Sequence, residues 1–184
     1  MASAFAHALA AVAIGKTLPG KYTSAKFWIL GILCTIIPDA DVVMFKFGVP
    51  YEHMFGHRGF SHSLVFAFIL GILVTAIFYR SIKLTSKQGM LLVLFFSLCT
   101  ASHILLDALT NGGLGVAVLA PFDNARYFLP WRPIQVSPIG ISNFFSEWGW
   151  RVVKSELLWV GLPSVAYLLM VSVFRSAKTK NKIA

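Results

Sequence analysis

The feature that most constrains this chain is an apolar run from Gly89 to Leu109 that ends with two ionisable side chains. A membrane-spanning helix needs about 20 apolar residues, so the run is long enough to cross a bilayer. His103 and Asp107 lie four positions apart and share one face of such a helix, where they could bind a single ion. Ionisable residues within a span usually mark a functional site. The alternative is a helix-end histidine that reaches the membrane interface beside a capping aspartate.

The composition of the chain is typical of a membrane protein. Of its 184 residues, 57% are hydrophobic and only 12% are charged. The formal net charge is +9, but no basic face on a soluble scaffold is visible, which disfavours nucleic acid as a partner. Cys34 and Cys99 lie within apolar runs, so we expect them to be packing residues and not a disulfide or a zinc site.

Five apolar segments predict an all-α, polytopic membrane bundle of about five transmembrane helices, formed by a single domain over residues 1–184. The first segment has the composition of a signal peptide, but Lys16 follows the apolar part, so we interpret it as a retained helix. An aromatic stretch from Ser142 to Lys154 is typical of a helix or loop in the membrane interface. The predicted helices cover residues 3–18, 25–38, 61–80, 88–109 and 156–174, and an outer loop covers residues 110–155.

The distribution of positive charge predicts the orientation of these helices. Three short segments hold ten of the sixteen Lys and Arg residues and no acidic residue: 16–26, 80–87 and 175–182. By the positive-inside rule they belong in the cytoplasm, which puts the N-terminus outside and the C-terminus inside. All five histidines and all seven acidic residues then lie towards the outer face.

Histidine and aspartate that converge on one face suit metal-dependent hydrolysis. Imidazole and carboxylate groups are typical ligands of zinc and similar divalent ions, and two ions about 4 Å apart can share a bridging ligand. A metal-bound hydroxide would attack a phosphorus or carbonyl centre. A serine hydrolase is disfavoured because no Gly-x-Ser-x-Gly motif is present. Seven residues on this face are candidates for metal ligands: His7, Asp39, Asp41, His57, His62, His103 and Asp107.

Four short motifs, in this order, resemble the YdjM-type family of membrane-bound, metal-dependent hydrolases over most of the chain. They are His7, Pro38-Asp39-x-Asp41, His57-Arg58-Gly59-x-Ser61-His62-Ser63 and His103-x-x-x-Asp107-x-x-Thr110. The resemblance implies a metal-dependent hydrolase of the bacterial inner membrane, and the charge distribution places its site towards the outer face.

A more distant similarity is to the zinc-dependent phospholipase C and P1-nuclease fold. That similarity implies that His7, Asp39, His62, His103 and Asp107 are ligands. The chain lacks that fold's later His-x-x-x-Glu ligands and its N-terminal tryptophan. We therefore expect two divalent ions and not three, with zinc favoured over manganese or another metal.

The remaining polar residues of these motifs are candidates for catalysis and substrate binding. Asp41 is a ligand, a general base or a cap of its own turn. His57 binds metal or orients a ligand through its ring N–H. Arg58 is the leading candidate for the substrate phosphate, because a guanidinium group matches phosphate oxygen atoms. Arg126 and Arg132 of the outer loop are further candidates, with interfacial or salt-bridged roles as the alternative.

The sequence thus predicts a membrane-embedded enzyme that hydrolyses a phosphoester, with a phospholipid or lipid-linked phosphate as its substrate. A site near the helix ends is reached from the side by a lipid more readily than by a large soluble polymer. The competing hypothesis is a non-enzymatic membrane protein that binds metal or transports ions, because buried Asp and His also serve transporters.

Overall fold

Serine residues begin most of the helices in this chain. In the computed structural model, which describes residues 1–18, 23–139 and 141–180, five serine hydroxyls accept a hydrogen bond from a first-turn backbone N–H. These caps are Ser3, Ser24, Ser63, Ser86 and Ser146. The helices are α1 (Ala4–Gly15), α2 (Ala25–Ile36), α3 (Leu64–Phe78), α4 (Lys87–Ala108), α5 (Ile141–Phe144), α6 (Glu147–Glu156) and α7 (Leu162–Lys180).

Two 3₁₀-helical segments and one π-helical segment adjoin these α-helices. A 3₁₀ segment, Ile37–Phe47, continues α2 from a proline in its first turn, and a shorter one, Phe60–His62, precedes α3. A π-helical segment, Leu157–Gly161, joins α6 to α7. Within the described ranges, β pairing is confined to two isolated bridges, which join Thr110 to Ile134 and Val116 to Tyr127. The prediction of an all-α protein is confirmed.

Three described helical stretches are long and apolar enough to cross a membrane: Ala25–Phe47, Lys87–Ala108 and Glu147–Ser176. Helices α1 and α3 are also apolar but shorter, with 12 and 15 residues. Large apolar side chains on the outside of these helices are exposed, and so much apolar surface indicates contact with a membrane. The membrane bundle is therefore confirmed, while the number and direction of its crossings stay predictions.

The region predicted as an outer loop, residues 110–155, contains a helix. Helix α6 begins after the Ser146 cap and is supported by an ion pair, 2.7 Å long, between Glu147 and Arg151 one turn later. It continues through the π-helical segment into α7, so the last helix begins well before residue 156. Two of the predicted basic segments lie partly outside the described residues, at Lys21 and at Lys182.

Close packing of α2 against α4 brings the polar ends of both helices together. The rings of Phe27 and Phe95 stack with centroids 4.0 Å apart. A side chain at Gly31 would lie 2.8 Å from the Phe95 ring, so this approach requires a glycine. Cys34 and Cys99 are buried and free in the same core, which confirms the prediction that they are packing residues.

Candidate metal centre

Four side chains from three parts of the chain place one ligand atom each around a common point. Asp39 lies in the 3₁₀ segment after α2, and His62 ends the 3₁₀ turn before α3. His103 and Asp107 occupy the last turns of α4, on the single helix face that their spacing predicts. All four ligand atoms lie within 4.8 Å of one another, so these residues could hold one metal ion.

The spacing of the four atoms suits a tetrahedral ion. Nε2 of His62 lies 2.9 Å from Nε2 of His103 and 3.6 Å from Oδ2 of Asp107. Oδ1 of Asp39 lies 3.5 Å from Nε2 of His62 and 3.4 Å from Nε2 of His103. Four ligands at zinc's usual bond lengths would lie ~3.3 Å from one another. The observed distances fall on both sides of that value.

The two imidazoles direct their Nε2 atoms at each other. Nδ1 of His103 lies 2.6 Å from the carbonyl oxygen of Thr35. Nδ1 of His62 lies 3.0 Å from the hydroxyl of Ser61 and 3.2 Å from Oδ2 of Asp41. A neutral ring that carries its proton on Nδ1 keeps a lone pair on Nε2. Two lone pairs 2.9 Å apart repel each other unless a proton or a metal ion lies between them.

Burial makes this arrangement unfavourable without a cation. His62, His103 and Asp107 are fully buried, and Asp39 is only 14% exposed. Oδ1 of Asp39 has no hydrogen-bond partner among the described residues. Buried carboxylates need a counter-charge. Asp107 has Arg58 and, at 3.9 Å, the N-terminal amine of Met1, whereas the ion pairs of Asp39 among the described residues are with the two imidazoles. A divalent ion would supply the missing positive charge.

His7 lies directly beside the four-residue group. Its ring stacks on that of His103 with centroids 3.9 Å apart, and its Nε2 is 3.7 Å from Oδ1 of Asp107. Both ring nitrogens are buried and have no hydrogen-bond partner in the described part of the chain. His7 is therefore placed to bind an ion that Asp107 also binds.

Asp41 lies on the far side of the His62 ring and organises the loop before α3. Its carboxylate accepts hydrogen bonds from the backbone N–H of Arg58 at 3.0 Å and from the hydroxyl of Ser61. Nδ1 of His57 lies 2.6 Å from Oδ1 of Asp41, which is the distance of a strong hydrogen bond. Asp41, His57 and His62 form a second group whose ligand atoms are mutually close. The short His57 contact suits a hydrogen-bonded pair better than two ligands of one ion.

Arg58 connects this loop to the end of α4. Its side chain is completely buried, and Nε lies 3.0 Å from Oδ2 of Asp107. Nη1 donates to the carbonyl of Gly112 at 2.9 Å, and Nη2 donates to the hydroxyl of Thr110 at 3.0 Å. Its φ of 62° is a left-handed backbone conformation that non-glycine residues rarely adopt. The surrounding contacts hold this conformation in place.

The other two predicted phosphate-binding arginines have partners within the loops. Arg126 donates to the carbonyl groups of His57 and Tyr51, both at 2.6 Å, and so clamps the 51–57 segment. The guanidinium of Arg132 lies over the Phe128 ring, 4.7 Å from its centroid. Both contacts are structural, but neither is the salt bridge named as the alternative, and phosphate binding by these arginines stays a prediction.

Glu156 is a buried acidic residue that sequence reasoning did not single out. Its carboxylate accepts hydrogen bonds from the backbone N–H and the hydroxyl of Ser3. The next N–H towards the start of the chain, that of Ala2, donates to Oδ1 of Asp107 at 2.8 Å. Glu156 thus anchors the start of α1 beside the metal centre. Its position directly before the last apolar segment was the available signal.

Comparison with known proteins gives one family and one curated relative. The family model described as "YdjM inner membrane protein" matches residues 1–179. The "Inner membrane protein YbcI" of Escherichia coli (strain K12) is 40% identical over 171 residues, which cover 92% of this chain and 96% of that protein. No solved structure matches the chain, so the similarity to the phospholipase C fold stays an expectation.

Proposed function

Because the chain belongs to the YdjM family of inner membrane proteins, we propose that its buried His and Asp group makes it a membrane-embedded, metal-dependent hydrolase. The observation that carries the proposal is the pair of facing Nε2 atoms, His62 and His103, with two carboxylate oxygens beside them. When bound, a divalent ion supplies Lewis acidity and activates water at neutral pH. First-row ions such as zinc accept this donor set.

The chain's own residues supply the rest of the chemistry. Asp41 holds the His62 ring in the tautomer that binds metal, and the Thr35 carbonyl does the same for His103. Asp39 is the ligand with a partly exposed side chain, so water and substrate reach the site from its side. Asp41 lies on the far side of the His62 ring from the other ligands, so its proposed role is to position that ring and not to act as a general base towards attacking water.

We propose a phosphoester of a phospholipid or lipid-linked phosphate as the substrate. The ligands lie at the ends of apolar helices, where a headgroup meets the protein while its tails remain in the bilayer. Arg58 provides the positive charge that such a phosphate needs. The proposed setting is a bacterial inner membrane with the site towards the outer face.

The expected number of ions is two. The group of four would hold the first, and His7 with Oδ1 of Asp107, 3.7 Å apart, would share the second, with Asp107 as the bridge. Elemental analysis of detergent-purified protein measures this number. If the protein binds one ion per chain and His7→Ala retains that ion, the proposed second metal site does not exist.

The burial of the four ligands supports a second candidate function, that of a non-enzymatic metal-binding or transport protein. Zinc sites with four protein ligands are usually structural, and three of these four ligands are fully buried. Mixed micelles of phospholipid and metal-loaded protein distinguish the two. Hydrolysis that a chelator abolishes and zinc or manganese restores supports the enzyme, whereas metal movement in liposomes without hydrolysis supports the transporter.

A further inference from the structure

A cavity of about 450 Å³ lies beside Arg58. Arg58 and His57 line it together with aromatic and aliphatic residues, which include Tyr51, Ile139 and Trp148, and with the polar residues Ser137 and Asn143. The cavity is therefore large enough for a small headgroup. No acidic residue lines it among the described residues.

Gly113 leaves the guanidinium of Arg58 open to this cavity. Its φ is +84°, and a side chain there would lie 2.8 Å from both Nη1 of Arg58 and the hydroxyl of Tyr51. The guanidinium of Arg58 and the hydroxyl of Tyr51 thus face the same space, which the side chain of any residue other than glycine at position 113 would fill. Burial raises the pKa of Tyr51, although Arg58 opposes this shift, so the phenol stays a donor at neutral pH.

Arg58 keeps donors for a ligand after its internal contacts are made. A guanidinium has five N–H donors. Nη1 donates to the Gly112 carbonyl and Nη2 donates to the Thr110 hydroxyl, which leaves one donor on each terminal nitrogen. Nε forms the ion pair with Asp107. The two terminal nitrogens form the fork that matches a pair of phosphate oxygen atoms.

We propose that this cavity binds the phosphate group of a substrate whose headgroup carries no positive charge. The proposal rests on the proposed hydrolase function and makes its substrate more specific. Asp107 is paired with Nε of Arg58, but no carboxylate among the described residues lines the cavity beside the terminal nitrogens of Arg58, so an anion meets no competing negative charge there. A choline or ethanolamine group would find no counter-charge in this wall. Phosphate monoesters of lipids and free inorganic phosphate share the chemistry that Arg58 recognises.

Binding of inorganic phosphate to metal-free, detergent-purified protein, measured by titration calorimetry, tests the cavity without the metal. Ile139 lines the cavity and is 48% exposed, so a charge introduced there acts on the ligand with little effect on packing. Ile139→Glu should weaken phosphate binding about tenfold, and Ile139→Lys should strengthen it. Leu119→Glu is the control, because Leu119 is also 48% exposed and does not line the cavity. Equal affinities in both Ile139 variants would overturn the proposal.

Competition experiments distinguish the sources of the phosphate. Phosphatidic acid in micelles should displace inorganic phosphate, whereas phosphatidylcholine should not. Equal displacement by both lipids would overturn the requirement for an uncharged or anionic headgroup.

Two further results distinguish failure of the hydrolase function from failure of the cavity proposal. If the protein binds phosphate but hydrolyses no phosphoester, the proposed hydrolase function is wrong and the anion-binding cavity stands. If Ile139→Glu hydrolyses the substrate with an unchanged KM, the cavity does not bind the substrate phosphate, and the hydrolase function stands.

Discussion

Oδ2 of Asp41 and Nδ1 of His62 lie 3.2 Å apart, on the side of the imidazole that faces away from the other metal ligands. The hydroxyl of Ser61 lies 3.0 Å from the same nitrogen and donates its own hydrogen bond to Asp41, so the carboxylate orients both partners of the ring. Loss of such a partner typically lowers metal affinity by about 10–100-fold. We expect Asp41→Asn to weaken metal binding by that factor while the site still fills at saturating metal.

Competition with a metal indicator measures the affinity of the Asp41→Asn variant. Asp123→Asn is its control, because Asp123 also accepts hydrogen bonds but lies in the exposed loop. A complete loss of metal from Asp41→Asn would mean that Asp41 is a ligand and not a positioning residue.

Removal of any member of the four-residue group should abolish metal retention. Each one supplies a buried atom that faces the other three, so none is replaceable by solvent. We expect no metal, by elemental analysis, in Asp39→Ala, His62→Ala, His103→Ala and Asp107→Ala. His57→Ala should retain its metal, because its Nδ1 lies against Asp41. Unaltered metal content in Asp107→Ala would disprove the site.

Arg58 should contribute strongly to stability through its buried ion pair with Asp107. Breaking such a pair by removing one partner costs about 3–5 kcal/mol. We expect Arg58→Met to lower the thermal unfolding temperature in detergent, and added metal to recover part of the loss by giving Asp107 another counter-charge. Arg132→Met is the control, since an exposed cation–π contact contributes only about 0.5–1 kcal/mol. Similar shifts in both variants would refute the role of the Arg58 pair.

Topology reporters test the predicted orientation. A reporter fused after Lys182 should be cytoplasmic, because the segment from Arg175 onward is basic, and a reporter inserted near Asn124 should be external. The opposite result at both positions would reverse the side of the membrane that the metal centre faces. It would leave the composition of the centre unchanged.

The metal centre was predictable to the extent that residue types and spacing specify it. His103 and Asp107 share a helix face by arithmetic alone, and Asp39 follows a helix-ending proline. The contacts of Arg58 were not predictable, because two of its partners lie more than fifty residues away and one is a backbone carbonyl. The backbone carbonyl of Thr35, which contacts His103, was not predictable either, because every residue type carries such a group.

The sequence left two structures open for the stretch from Ser142 to Lys154, an interfacial helix or a loop, and the structure shows a helix from Glu147. Its first turns are charged and rich in tryptophan, which is typical of an interfacial loop as well as of a helix. The Ser146 cap and the ion pair between Glu147 and Arg151 distinguish the two, but each is a weak local signal.

The π-helical turn at Leu157–Gly161 has a consequence for insertions and deletions in this gene. Such a turn holds about one residue more than an α-helical turn, so the two parts of the last helix are offset by roughly 100°. Loss of a single codon there would restore a regular helix and rotate one part against the other. The hydrogen bond between Glu156 and Ser3 and the packing of Val160 against Ala6 could then no longer form at the same time. The reading frame would survive such a deletion, but the attachment of the last helix to the metal centre would not.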